Sequence, residues 1–245
     1  MDRVDVVLAN NDRVTLRVGD TFLKVDADRA RTEVEVEAIS SAPVPTPRIL
    51  WHTPPVLALA AVPGRPLGRL GEPSTASAAA WVATGAALRR LHDAPLPVRP
   101  TVGVDELASR LVDGCEWLVA HDVLPAEAVG RSRLIAEAVL RPWTPAFVHG
   151  DLHVEHVFVE GDEVAGIIDW SEAGQGDPLA DLATLTLANE EHLDDVLSGY
   201  GADVDRELIR AWWAWRCIVA IPWLADNGYG PPERYPELAV LRSMA

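Results

Sequence analysis

His149-Gly150-Asp151-Leu152-His153-Val154-Glu155-His156 runs into Val157-Phe158-Val159-Glu160-Gly161-Asp162-Glu163-Val164-Ala165-Gly166-Ile167-Ile168-Asp169-Trp170. Residues 156–160 and 164–168 are strand-like, and Gly161-Asp162 between them is a hairpin turn signal. Folding the chain at that turn returns Asp169 to the side of residues 154–156. Asp151, His156 and Asp169 are therefore expected at the open end of one hairpin. Two carboxylates and an imidazole would then face one small volume, which a hairpin built only for packing does not need.

The hairpin lies in a non-helical island, residues 147–176, within a mostly helical stretch. Residues 75–92, 104–120 and 125–140 read as helices before it, and 178–200 and 203–227 after it. Pro142-Trp143-Thr144-Pro145 ends the helix that precedes the island. Trp212, Trp215, Val219 and Trp223 fall near one face of the last helix. A tryptophan stripe at that spacing reads first as core packing and second as the wall of a substrate pocket.

The N-terminal quarter has a different texture. Val4 to Leu8 is an apolar run, Asn10-Asn11-Asp12 a turn, and Val14, Leu16 and Val18 alternate with polar residues. Gly19-Asp20 turns the chain into Phe22-Leu23-Lys24-Val25, so an antiparallel meander with Lys24 on its third strand is expected. A Glu-rich helix follows over 30–40, stopped by Pro43-Val44-Pro45-Thr46-Pro47. Strand-like runs at 48–51 and 56–62 end at Pro63-Gly64. Residues 1–64 thus read as a small β-rich lobe with one helix, and 65–245 as a larger, mainly helical lobe.

Lys24 is the chain's only lysine. Elsewhere the sequence uses arginine, which suits planar, forked recognition, whereas lysine is a compact point charge that fits between phosphate oxygens. A gripping cation, a metal-binding carboxylate and a carboxylate beside the acceptor are the parts that phosphoryl transfer needs. Asp169 offers the hard oxygen that Mg²⁺ prefers; His156 is a less usual ligand for that ion. Asp151, just ahead of the hairpin, is free to act on a hydroxyl.

His149 to His156 resembles the catalytic loop of the aminoglycoside phosphotransferase superfamily, and Gly166-Ile167-Ile168-Asp169-Trp170 resembles its metal-binding segment. Gly176-Asp177-Pro178 with Asp181-Leu182-Ala183 is similar to the helix start that follows. Thr15-Leu16-Arg17-Val18 through Lys24, Val44-Pro45-Thr46-Pro47, Val62-Pro63-Gly64-Arg65-Pro66-Leu67 and Leu91-His92 match further landmarks in family order. The resemblance implies a bilobal, protein-kinase-like α+β fold and a small-molecule kinase that uses Mg²⁺ with ATP or GTP. It makes Asp151 the catalytic carboxylate, Asp169 and His156 metal ligands, and Lys24 the holder of the α- and β-phosphates. A helix glutamate should pair with Lys24: Glu35 is preferred, with Glu33 and Glu37 open. Backbone groups near Leu59, Ala60 and Val62 would read the base.

Two features depart from the family pattern. His156 stands where asparagine is usual, which looks most like the macrolide phosphotransferases and keeps GTP beside ATP. No glycine-rich loop precedes the second strand. His156 also admits a catalytically silent nucleotide-binding protein of the same fold as the competing reading. Asp177 and Asp181 read as helix caps, and His149 as a structural brace.

The formal net charge of −16 makes nucleic acid and anionic membranes poor partners and suits a neutral or cationic small substrate. Two well-separated cysteines build no disulfide framework. The start Met1-Asp2-Arg3 has no secretory-leader pattern, and no apolar run is long enough to span a bilayer, so a cytoplasmic protein is expected.

Overall fold

The computed structural model describes residues 3–10, 12–99 and 102–244. Asn11 of the expected first turn, with Met1 and Asp2, lies outside the described residues.

The N-terminal strands β1 (Val4–Ala9), β2 (Arg13–Val18), β3 (Thr21–Asp26), β4 (Ile49–Thr53) and β5 (Val56–Ala60) form one antiparallel sheet. Its strand order is β1-β2-β3-β5-β4. Helix α1 (Arg29–Ser41) starts at Asp28, whose side chain accepts from the Ala30 amide. Three-four spacing gives α1 one buried stripe, Thr32, Glu35, Ala38 and Ile39, with a carboxylate in its middle.

On strand β2 the buried residues are Arg13 and Thr15, while Val14 is exposed. Pairing of Thr15 with Lys24 and of Arg13 with Asp26 puts these four on one face of the sheet. That face looks across to the second half of the chain, where Arg13 and Lys24 both meet Asp169, so its polar character reflects a buried ionic contact between the two regions.

Strand β6 (Arg65–Pro66) pairs with β8 (Val157–Glu160), which pairs with β9 (Glu163–Ile167). The β8–β9 register sets Val157 opposite Ile167 and Glu160 opposite Glu163, leaving Gly161-Asp162 as the two-residue turn. Gly161 has φ 60°, as the tight hairpin requires. Strands β7 (Ala146–Val148) and β10 (Gly174–Gly176) form a separate pair bracketing the hairpin.

Around these strands pack α2 (Ala78–His92), α3 (Val104–Ala120), α4 (Ala126–Ala136), α5 (Pro178–Thr186), α6 (Leu193–Tyr200), α7 (Arg206–Asp226) and α8 (Pro236–Met244). Helix α7 lies against α3, α4, α5 and α8. Its Trp212, Trp213 and Trp215 are buried, and their indole N–H groups donate to Asp177, Ala183 O and Leu107 O respectively. The tryptophans are therefore core residues with their polar handles satisfied. Trp223 departs from the stripe: it is exposed and lies beside Tyr229.

The segment expected as one helix over 178–200 is two. Ala188 takes a left-handed φ of 58° and ends α5's run before α6 begins. Helix α8 has no counterpart in the sequence reading. The architecture is α+β, a small antiparallel sheet with one helix beside a larger helical region, and no helix of the described residues is long and apolar enough to cross a membrane.

Candidate active site

The Lys24 side chain is buried beside β3, where its Nζ donates to Glu35 Oε1 at 2.5 Å and to Asp169 Oδ1 at 2.9 Å. Glu35 is fully buried on the inner stripe of α1, whereas Glu33 and Glu37 face solvent. Burial works against the Lys24 charge, but Glu35 and Asp169 outweigh it and raise its pKa. Burial, aided by Asp169, lifts the Glu35 carboxyl despite Lys24.

Asp169 follows β9 with a left-handed φ of 63°. Aspartate tolerates that region better than most residues, and a held outlier of this kind concentrates at functional sites. Its Oδ1 accepts from Lys24, from Arg13 Nη1 at 2.8 Å and from Ser171 Oγ at 3.3 Å. Burial pushes its carboxyl up, but Lys24, His156 and Arg13 hold it well below the usual range, so it is ionised.

The His149–His156 loop is stiff. Gly150 has φ 86°, and a Cβ there would lie 2.2 Å from Glu172 O, so only glycine fits. His149 is fully buried; its Nε2 donates to Ile168 O at 2.9 Å, tying the loop to the end of the hairpin. Asp181 is no helix cap. Its carboxylate accepts the amides of His149 at 2.7 Å and Gly150 at 2.9 Å, and faces His92 Nε2 at 3.2 Å. Asp177 is the cap, accepting from the Leu179 amide and also from Arg141 and Trp212.

Asp151 sits between this braced loop and α7. Arg216 Nη2 donates to its Oδ1 at 2.5 Å. Burial would raise the carboxyl, but Arg216 and the nearby imidazoles hold it at about 2. His156 Nδ1 lies 2.7 Å from Asp151 O; a carbonyl only accepts, so Nδ1 carries the proton and Nε2 the lone pair. Burial lowers the His156 pKa and pushes that of His153 down to about 3, so both rings are neutral near pH 7.

The lone pair of His156 Nε2 faces Asp169 Oδ2 at 3.8 Å. Two acceptors turned toward each other leave a gap that suits a cation. Adjacent ligands about 2.1 Å from an octahedral Mg²⁺ stand about 3 Å apart, so the two atoms would need to close by less than about 1 Å to share that ion. Asp151, His153 and His156 form a second such set, with ligand atoms within 4.8 Å of one another.

The structure thus places Lys24, Glu35, Asp169, His156 and Asp151 in one connected constellation. Leu59 is buried on β5, Ala60 ends that strand, and Val62 lies at the crossing between the two regions, its side chain against Gly166. The Ala60 and Ala61 amides donate to Arg48 O and Asp20 O. Sequence reasoning missed Arg13, Arg216 and the bracing role of Asp181, and it left the role of His153 open. The signal for Arg13 was its nearness to a turn without glycine; Arg216 had only its interruption of a tryptophan-rich run.

The sequence pattern of the phosphotransferase enzyme family matches residues 3–218. A streptomycin 3''-kinase of Streptomyces griseus is 34% identical over 184 residues, covering 66% of each chain. A viomycin phosphotransferase of Streptomyces vinaceus is 34% identical over 158 residues, 57% of this chain and 52% of its own. The chain therefore spans just under two thirds of the first relative and about half of the second. Among solved structures, an aminoglycoside phosphotransferase from Streptomyces rimosus superposes with a TM-score of 0.63 at 25% identity, over 86% of this chain and 91% of that one.

Proposed function

The chain belongs to the phosphotransferase enzyme family, and on that premise we propose that it transfers the γ-phosphate of ATP or GTP to a hydroxyl of a small molecule. The observation that carries the reading is the bridge from Lys24 to Asp169 at 2.9 Å, which joins a cation on the sheet to a carboxylate beside Asp151. The nucleotide lies between a lobe of residues 1–64 and a lobe of residues 65–245, with the backbone at Leu59, Ala60 and Val62 reading the base. Lys24, steadied by Glu35, holds the α- and β-phosphates. Asp169 and His156 hold Mg²⁺, which neutralises charge on the phosphate oxygens.

Asp151 acts on the acceptor. Arg216 occupies one of its oxygens and leaves the other for the acceptor hydroxyl. A carboxylate with a pKa of about 2 is a weak base, so it orients the hydroxyl first and takes the proton only as the new oxygen–phosphorus bond forms. The bond from phosphorus to the β–γ bridging oxygen breaks, its electron pair stays on that oxygen, and the nucleoside diphosphate leaves. Orientation and fixed charge supply the rate enhancement, as a loose phosphoryl-transfer transition state demands.

The acceptor is a hydroxylated compound carrying amino or guanidino groups. A net charge of −16 favours such a cation, and the named relatives act on streptomycin and viomycin. The test is incubation with γ-labelled ATP or GTP, Mg²⁺ and a panel of polyhydroxylated amines. A labelled phosphomonoester on one of them is expected. Nucleotide binding with label transferred to no acceptor would favour the catalytically silent reading.

A further inference from the structure

Arg13 is a buried guanidinium that none of these assignments uses. It stands at the first position of β2, directly after the turn of residues 10–12. Its Nε donates to Asp26 Oδ1 and its Nη1 to Asp169 Oδ1, each at 2.8 Å. Its Nη2 is buried without a partner among the described residues, and so is Asp26 Oδ2. A purely structural arginine–aspartate pair gains most from two parallel hydrogen bonds. Here only Nε bonds Asp26 and Nη1 goes to Asp169, so the second donor on the Asp26 edge, Nη2, is unspent. A buried donor left unpaired is costly, and such a group in a native fold needs a reason.

The preceding turn supplies that reason. A phosphate-binding loop works by pointing backbone amides at the ligand. In this turn the amides of Asp12 and Arg13 both donate to Asn10 Oδ1, at 3.0 and 2.8 Å. Those two donors are spent within the loop, which gives side chains beside it more weight as partners for phosphate oxygens. Arg13 shares Asp169 Oδ1 with Lys24, which puts the two cations side by side on one carboxylate oxygen.

We infer that Arg13 is a second phosphate-binding cation, which takes over from the turn's backbone the contact with the terminal phosphates of the nucleotide. This rests on the proposed nucleotide-binding function and deepens it. A phosphate oxygen that parts Arg13 from Asp169 would gain a guanidinium whose Nη2 no described protein group engages. Asp26 fixes the guanidinium through Nε alone and so sets its direction without using up the fork.

The test is calorimetric titration of the full chain with ATP, GTP, ADP and adenosine or guanosine, with and without Mg²⁺. Wild type is compared with Arg13→Gln, Arg13→Lys and the double variant Arg13→Gln/Asp26→Asn, which removes both partners of the buried pair. Melting curves establish that each variant is folded. Arg13→Gln is expected to weaken triphosphate binding by about tenfold to a hundredfold, the worth of one or two charge-assisted hydrogen bonds. Nucleoside binding should be unchanged, and Arg13→Lys should recover part of the loss. Triphosphate affinity equal to wild type in a folded Arg13→Gln or double variant would overturn the inference and make Arg13 a structural partner of Asp26. A wild-type protein that binds no nucleotide would instead remove the functional reading beneath it.

Discussion

Arg216, on the central helix of the larger region, donates to Asp151 Oδ1 at 2.5 Å. The pair joins α7, which packs against α3, α4, α5 and α8, to the loop that carries the carboxylate proposed to orient the acceptor. Arg216 lowers the Asp151 pKa and, by holding one oxygen, fixes the direction of the other. Replacing Arg216 with Met should reduce transfer by about a hundredfold, the scale of one preorganised electrostatic contact. Nucleotide affinity should not change, because the hydrogen bond of Arg216 goes to Asp151, the carboxylate proposed for the acceptor, and not to Lys24 or Asp169. Single-turnover rates beside nucleotide titrations separate these outcomes; a fall in affinity with an unchanged rate would contradict the assignment.

Lys24 and Glu35 form a buried pair whose members depend on each other. Glu35 Oε2 has no partner among the described residues. Lys24→Met should therefore destabilise the fold by about 3–5 kcal/mol, the cost of breaking a buried pair from one side. Adding Glu35→Gln should restore part of that stability without restoring nucleotide affinity. Chemical denaturation reads the first effect and nucleotide titration the second.

Asp181 makes stability depend on pH. Burial raises its carboxyl, but the hydrogen bond from His92, with the charges and amides around it, holds the folded pKa below the ordinary 3.8. A group depressed in this way stabilises the fold above its unfolded value and loses that contribution as pH falls through the folded one. The melting temperature of wild type should drop on acidification below about pH 4. Asp181→Asn should melt lower at neutral pH and show a shallower acid dependence. An identical acid profile in the variant would exclude Asp181 as a contributor.

Gly150→Ala should inactivate the protein through the backbone. The added methyl would stand 2.2 Å from Glu172 O at a residue with φ 86°. Beyond the about 1–3 kcal/mol of a strained conformation, the His149–Asp151 segment must shift. Loss of transfer with retained nucleotide binding is expected, measured by titration and single-turnover assay.

The parts of the site that local rules govern were legible in the sequence. The β8–β9 hairpin is written in β-branched runs around Gly161-Asp162, and it carries Asp169 back to His156 as its register dictates. Lys24 stood out because it is the only lysine. What was not legible depends on tertiary approach. The alternation of Val14, Leu16 and Val18 gives no sign that Arg13 and Thr15 are the residues β2 buries. Asp181 looks like a first-turn helix acid, and only the chain's return brings the His149 and Gly150 amides onto it. Arg216 sits among residues that read as core, and its partner lies 65 positions earlier.

The most direct measurement is transfer by Asp151→Asn, a variant of nearly equal volume that lacks the charge. Under single-turnover conditions with Mg²⁺, the nucleotide that wild type uses and its acceptor, phosphate transfer should fall by at least about a thousandfold while nucleotide affinity stays near that of wild type. Transfer at the wild-type rate would show that the acceptor hydroxyl is not served by Asp151, and the assignment of this cleft would not stand.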